Sequence, residues 1–251
     1  MTPRGSLAYR VMAGSGMVLI RLFEWAIRRS AGDRVFHDAR EFPWTASLEA
    51  GWRDIREELE GVLTGPRPVP SFESISEEQA RLVEPERWKT FLLYAYGHRI
   101  EENCARCPRT AKLLESIPEM TTAMFSILTP GTHISPHRGP FKGVLRYHLG
   151  LVVPRAGDKC AIRVAGEVRT WGEGASLVFD DTNEHEAWND TAETRVVLFM
   201  DFLRDLPFPL SALNRGMIRL IGVSPLVQNI LENVNRMNGR VADVPVTSAT
   251  T

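Results

Sequence analysis

His137, His185 and Arg195 have the types and the spacing to do chemistry together. His137 lies in 131-GTHISPHRGP-140, between glycine and proline turns and four residues after His133. His185 stands among acids in 179-FDDTNEHEAWND-190, and Arg195 follows ten residues later. A turn alone has no need of an imidazole set between Glu184 and Glu186. Neutral imidazoles are good ligands for iron(II), and two of them leave coordination positions open for other molecules. An arginine within reach of such a centre would grip a carboxylate bidentately. A plain surface arginine at a strand entry is the competing reading of Arg195.

Short strands must position these residues. From Met120 onward, apolar runs alternate with Pro-, Gly- and Asp-rich turns at a spacing near ten residues, the pattern of an antiparallel sandwich or barrel. The runs are 123–128, 143–154, 160–166, 167–171, 175–181 and 195–203. In 144-VLRYHLGLVV-153, Leu145, Tyr147, Leu149, Leu151 and Val153 share one apolar face, and Arg146 and His148 share the other with Val144, Gly150 and Val152. Two polar groups in apolar company fit the inside of a barrel better than a solvated face. The same alternation puts Arg195, Val197, Phe199, Asp201 and Leu203 on one face of the last run.

The first hundred residues read mostly as helix and loop. Leu48, Trp52, Ile55, Leu59 and Val62 recur at steps of four and three, which predicts one helix over 47–64 stopped by Gly65-Pro66. A Pro-spaced loop over 66–74, a short capped helix over 76–83, a strand over 88–97 and a helix opened by Pro108 follow. After Pro207 the chain turns helical at 210–222 and 225–237, ahead of a polar tail expected to be disordered.

The chain has 251 residues and a formal charge of −1, so no global basic field advertises nucleic acid as a partner. Three cysteines are too few for a disulfide scaffold, and no signal-peptide pattern opens the sequence; a reducing, cytoplasmic setting is expected. Cys104 and Cys107 have the spacing of half a zinc knuckle without a second half, and plain thiols are the expectation. No run is apolar enough to span a membrane. The run 17-MVLIRLFEWAIRR-29 could lie on a membrane as a basic amphipathic helix, but packing on a core or partner is the commoner fate. Peripheral membrane contact therefore stays open, and the sequence leaves the oligomeric state unknown.

In order along the chain, 125-FSILTPGTHISPHRGP-140, 145-LRYHLGLVVP-154, 171-WGEG-174, 179-FDDTNEHEAWND-190 and 195-RVVLFMD-201 resemble the aspartyl/asparaginyl β-hydroxylase family. That family belongs to the oxygenases dependent on iron(II) and 2-oxoglutarate. The resemblance implies a mainly β fold with flanking helices around a double-stranded β-helix (jelly-roll, cupin-like) core. The core would span 120–206, with a helical region over 1–119 packed on it and helices and tail over 207–251, in one compact domain. It implies a dioxygenase in which His137 and His185 ligate Fe(II), 2-oxoglutarate and O2 are consumed, and an unactivated C–H bond is hydroxylated. Arg195 would hold the far carboxylate of 2-oxoglutarate, and Ser126, Arg146 and His148 its other end. Asp181 would orient a metal-bound water from behind the ligands.

The usual triad has a carboxylate two residues after the first His, where this chain has Gly139. Within the resemblance, that glycine leans toward the β-hydroxylase branch. The expected substrate is the β-carbon of an Asp or Asn, free, in a peptide or on a carrier. The alternatives are the acyl chain of a lipid, favoured by the apolar terminal helices, and a barrel that binds metal or a small molecule without turnover.

Overall fold

The computed structural model describes residues 22–76 and 81–239. Strands that alternate by residue type carry two different cores on their two faces. β1 (Phe36–His37), β2 (Trp88–Ala95), β3 (His98–Arg99), β4 (Met120–Leu128), β6 (Val144–Val152), β9 (Ser176–Phe179) and β11 (Arg195–Leu203) form a seven-stranded sheet in the order β1-β9-β6-β11-β4-β2-β3. β5 (Thr132–His137), β7 (Cys160–Val164), β8 (Glu167–Thr170) and β10 (His185–Asn189) form a second sheet in the order β5-β10-β7-β8. Neighbouring strands pair antiparallel throughout both sheets. This is a cupin-like jelly roll, as expected.

Between the sheets lies a core to which Met124, Leu128, Val197 and Phe199 come from the larger sheet, and Ile134, Ile162, Val164 and Ala187 from the smaller. The opposite face of the larger sheet, with Phe91, Phe125, Tyr147 and Leu198, is covered by helices instead. Those helices are α2 (Thr45–Ala50), α3 (Trp52–Leu63), α5 (Glu101–Arg106) and α6 (Pro108–Glu115). The predicted single helix over 47–64 is broken at Gly51. There a Cβ would come within 2.8 Å of Leu113 Cδ1, so the glycine lets α6 close onto the junction. The buried Glu58 carboxylate then accepts from the backbone N–H groups of Arg109 and Thr110, both at 2.8 Å, satisfying first-turn donors of α6 from a neighbouring helix.

The strand expected over 88–97 is β2, and it pairs with β4 inside the larger sheet. The boundary drawn at 120 therefore does not separate barrel from flank, because the N-terminal region supplies three strands of that sheet. The capped helix expected over 76–83 falls partly outside the described residues, and 81–83 form a turn and bend. The helix whose described part is 22–31 (α1), the single-turn α4 (Phe72–Ile75), α7 (Leu210–Gly222) and α8 (Pro225–Gly239) complete the fold. The tail beyond 239 also lies outside the described residues. No described helix is long and apolar enough to cross a membrane. Cys104 and Cys107 are free thiols buried in the helix-covered core, and burial pushes the Cys107 thiol up to about 12.

Candidate functional site

β5 and β10 bring the two histidines together. They pair in register, His185 opposite His137, with ring centroids 4.1 Å apart. Each Nδ1 faces a carbonyl of its own chain: Ser135 O at 2.8 Å from His137 and Asn183 O at 3.0 Å from His185. A carbonyl only accepts, so Nδ1 carries the proton in both rings and the lone pair sits on Nε2. That is how ligand imidazoles are held in the tautomer that binds metal. Burial lowers both pKa values, His185 to about 3, so both rings are neutral at pH 7. His133 takes no part. Its exposed ring pairs with Glu186 at 2.8 Å.

Asp181 is buried behind this pair. Arg146 Nη2 lies 2.9 Å from its Oδ2, close enough for an ion pair but not aligned as a hydrogen bond, and both carboxylate oxygens lack a hydrogen-bond partner among the described residues. Burial raises the Asp181 pKa to about 6 against the pull of Arg146, and the Asp201 charge adds to the rise. A Cβ built at Gly139 would overlap the Asp181 carboxylate. The position where a triad acid would begin is thus filled by an acid from the other strand's lead-in. His137, His185 and Asp181 do not close into a three-residue metal cage among the described residues.

Arg195 is buried to 2% exposure, which removes its reading as a surface residue. Its Nη1 donates to Ser126 O at 3.1 Å and its guanidinium lies 4.5 Å over the Trp171 ring. Its Nε has no partner, and no carboxylate pairs with it among the described residues. Burial pulls its pKa down to about 10, which leaves it charged at pH 7. The same Trp171 donates through Nε1 to His148 Nδ1 at 3.2 Å, leaving the buried His148 Nε2 without a partner. Ser126 Oγ accepts from Trp88 Nε1 at 3.0 Å, so its own hydroxyl hydrogen stays available.

Ser126, His148 and Arg195 thus share the inside of the barrel, with orphaned nitrogens that a carboxylate ligand would satisfy. Arg146 is more heavily committed than its expected role requires. Its Nε and Nη2 reach Asp201 at 2.9 and 3.2 Å, and it stacks 4.3 Å over Phe199.

Sequence reasoning missed the groups that fix this geometry. Trp171 was visible only as part of a motif. The buried Lys142 donates to Asp180 Oδ2 at 2.6 Å and Arg204 donates to the same oxygen at 2.8 Å. Thr182 N donates to Asp180 Oδ1 at 3.1 Å. This network clamps the loop that delivers Asp181 and His185, and no local signal announces its long-range partners.

A cavity of about 320 Å³ opens beside His137. His137 and Arg146 line it from the strands, Asp181 from the β9–β10 loop, and Phe72, Ile75, Leu226 and Ile230 from α4 and α8. Ser126, His148, His185 and Arg195 are not among its walls.

A jelly roll with paired in-register histidines defines the chain as a cupin-like barrel protein. It belongs to the aspartyl/asparaginyl beta-hydroxylase family, whose sequence profile matches residues 49–205. It is 46% identical over 202 residues to an ornithine lipid ester-linked acyl 2-hydroxylase of Rhizobium tropici, covering 80% of this chain and 72% of that one. It is 41% identical over 160 residues to the human aspartyl/asparaginyl beta-hydroxylase, covering 62% of this chain and 20% of that one. Among solved structures, a cupin domain from Enterobacter cloacae aligns with a TM-score of 0.34 at 13% identity, over 48% of this chain and 100% of that one.

Proposed function

We propose that the protein is an iron(II)- and 2-oxoglutarate-dependent hydroxylase acting on the acyl chain of an amphiphilic lipid. The observation that carries this reading is the cavity beside His137, whose helical walls are apolar side chains while Arg146 on β6 and Asp181 on the β9–β10 loop line its other side. Such a lining accepts an alkyl chain along its helical side. Arg81 and Arg138 also line it, supplying cations for an acidic headgroup. The similarity to the acyl 2-hydroxylase over most of both chains supports the same choice.

Iron(II) with 2-oxoglutarate and oxygen supplies the oxidising power for hydroxylating an unactivated C–H bond. The protein's part is to bind, orient and exclude water. His137 and His185 present Nε2 lone pairs with the tautomer fixed by Ser135 O and Asn183 O. Arg195, held flat on Trp171, would take the far carboxylate of 2-oxoglutarate, and Ser126, whose carbonyl accepts from Arg195, would donate its free hydroxyl hydrogen to that same carboxylate rather than to the other end that the resemblance implies. His148 Nε2 and Arg146 face the other end. Asp181, raised to about 6, would face the iron site with both carboxylate oxygens free of hydrogen bonds, its carboxylate lying in the space that Gly139 leaves.

An Asp or Asn β-carbon is the second reading, favoured by the family match over 49–205. The test is an anaerobic iron and 2-oxoglutarate titration followed by oxygen, with succinate and product mass read for lipid and for Asp- and Asn-containing peptides. Succinate coupled to oxygen addition on an acyl fragment is expected. Coupling only with peptides would install the second reading, and metal binding without any succinate would make this a non-catalytic barrel.

A further inference from the structure

Most of the strongly exposed large apolar side chains gather in one part of the molecule. Leu22 and Trp25 on α1 are 57% and 62% exposed; Phe208 before α7 is 85% exposed, and Leu213 and Leu220 on α7 and Val223 at its C-cap are 57%, 67% and 67% exposed. In α7, positions 213, 216, 220 and 223 recur at steps of three and four, so Leu213, Gly216, Leu220 and Val223 form an outward stripe. Asn214, Ile218 and Gly222 form the inward one. The helix is therefore apolar on the side that packs and on the side that does not. α1 repeats the arrangement, with Ile27 buried and Phe23 packed inward while Leu22 and Trp25 face out. Phe23, Phe141, Ile218 and Met217 share one small cluster, which sets α1 and α7 side by side.

Charge of both signs flanks this surface, with Glu24 beside Trp25 and Asp33 and Glu119 each paired to an arginine, so the cations left over are what distinguish it. Arg28 and Arg29 follow the outward turn of α1, and Arg215 and Arg219 border the α7 stripe. Arg28 reaches Asp33 and Arg215 reaches Glu119. Arg29 and Arg219 have no carboxylate within ion-pair distance among the described residues. The patch also continues into the site: Leu226, at the start of α8 and 39% exposed, lines the cavity that holds His137.

We propose that α1 and the α7–α8 hairpin dock on an anionic lipid bilayer, with Trp25, Leu220 and Val223 entering the acyl boundary and Arg29 and Arg219 meeting headgroup phosphates. Apolar side chains rimmed by arginines are the composition of helices that lie in a membrane interface, and tryptophan favours that depth. Docking would place the cavity mouth at the bilayer, so that an acyl chain moves along Leu226 toward His137 without crossing water. This last step rests on the acyl-chain reading above; the docking surface does not.

The test is co-sedimentation of the full chain with vesicles of phosphatidylcholine alone or mixed with phosphatidylglycerol, at low and high salt. Binding to the mixed vesicles, weakened by salt, is expected. Leu220→Glu should lower it roughly tenfold or more by removing a buried leucine and adding an acid, with the melting temperature unchanged. Arg29→Glu and Arg219→Glu should each lower it by roughly fivefold. Absence of binding by the unaltered chain, or binding indifferent to all three substitutions, overturns the proposal. So does a dimer in solution that Leu220→Glu converts to a monomer, which would assign the patch to a second copy. Vesicle binding without acyl oxidation removes the acyl reading and leaves the docking surface, and oxidation of detergent-dispersed lipid without vesicle binding does the reverse.

Discussion

The two faces of the seven-stranded sheet are made by the same strands and differ in what they are for. On the helix-covered face, Phe125, Tyr147, Leu149, Leu198 and Met200 are buried against one another and against α3 and α6. On the other face, the residues one step along the same strands are Ser126, Arg146, His148, Phe199 and Asp201. A pleated strand offers both sides to design independently, because its side-chain period is two. One side here is chosen for packing density, and the other for unsatisfied polar groups, whose burial costs stability unless a ligand completes them. The face with the orphaned Arg195 Nε and His148 Nε2 is the one a ligand should stabilise.

Substitutions should separate the two faces cleanly, and the largest effect belongs to the barrel side. His137→Ala or His185→Ala should abolish iron binding and succinate formation, since a single remaining imidazole has little affinity. Circular dichroism should show the fold retained, because both side chains stand at strand ends rather than in the packed core. Wild-type iron affinity in either variant would break the ligand assignment.

Phe125→Ala, one residue from Ser126 and facing the other way, should do the opposite. Its fully buried ring is expected to cost about 3–5 kcal/mol of stability, read by urea denaturation, while folded protein at low temperature still binds iron. Asp180→Asn links the two sides. Removing one partner of a buried ion network costs about 3–5 kcal/mol and would loosen the loop carrying Asp181 and His185. Burial opposes ionisation of Asp180, but Lys142, Thr182 and Arg204 outweigh it and hold its pKa below the ordinary value. The stabilisation is therefore present above the usual carboxylate pKa and is lost as pH falls through the depressed one. The variant should lack that part of the acid sensitivity.

Next in size is Arg195. A lysine cannot copy a stacked, bidentate guanidinium, so Arg195→Lys should raise the 2-oxoglutarate requirement, and Arg195→Ala should raise it further, by about 2–5 kcal/mol of binding. Iron affinity, which the proposed function assigns to His137 and His185, should change little in both. An unchanged cosubstrate requirement in Arg195→Ala would leave the buried cation without a function.

How legible all this was in the sequence follows the same divide between local and long-range signals. Alternation separates the faces over 144–151, but Val152 packs on the helix-covered core and Val153 on the core between the sheets, the reverse of strict alternation, because the pairing with β11 is irregular between Val196 and Val197. The stripe of Leu48, Ile55, Leu59 and Val62 marks the helical cover apart from the break at Gly51. Both histidines stood out by their neighbours, yet the strands that carry them did not. β5 holds Pro136, tolerable because β5 lies at the edge of its sheet, and β10 is five residues long with an acid inside it. The outward stripe of α7 has no sequence signal of its own, because apolar periodicity does not say which side faces protein. Lys142 and Arg204 converge on Asp180 from 38 and 24 residues away, a separation at which sequence pattern carries no information.

The smallest effect tests the residue that joins the two parts of the barrel interior. Trp171 lies under Arg195 at 4.5 Å and donates to His148 at 3.2 Å, so one side chain sets the height of the buried guanidinium and the proton position on the imidazole beside it. Because Trp171 donates, His148 Nδ1 must accept, and the ring's hydrogen is driven to Nε2, where it can be given to a ligand. Trp171→Phe keeps a ring beneath the guanidinium and removes only the N–H. The loss of one neutral hydrogen bond is about 1 kcal/mol, so the 2-oxoglutarate requirement should rise about fivefold while iron affinity and melting temperature stay near wild type. Trp171→Ala removes the platform as well and should approach the Arg195→Lys effect. If Trp171→Phe matches Trp171→Ala, the hydrogen bond to His148 governs the site; if Trp171→Phe matches wild type, the stacking under Arg195 alone does, and His148 chooses its tautomer without help.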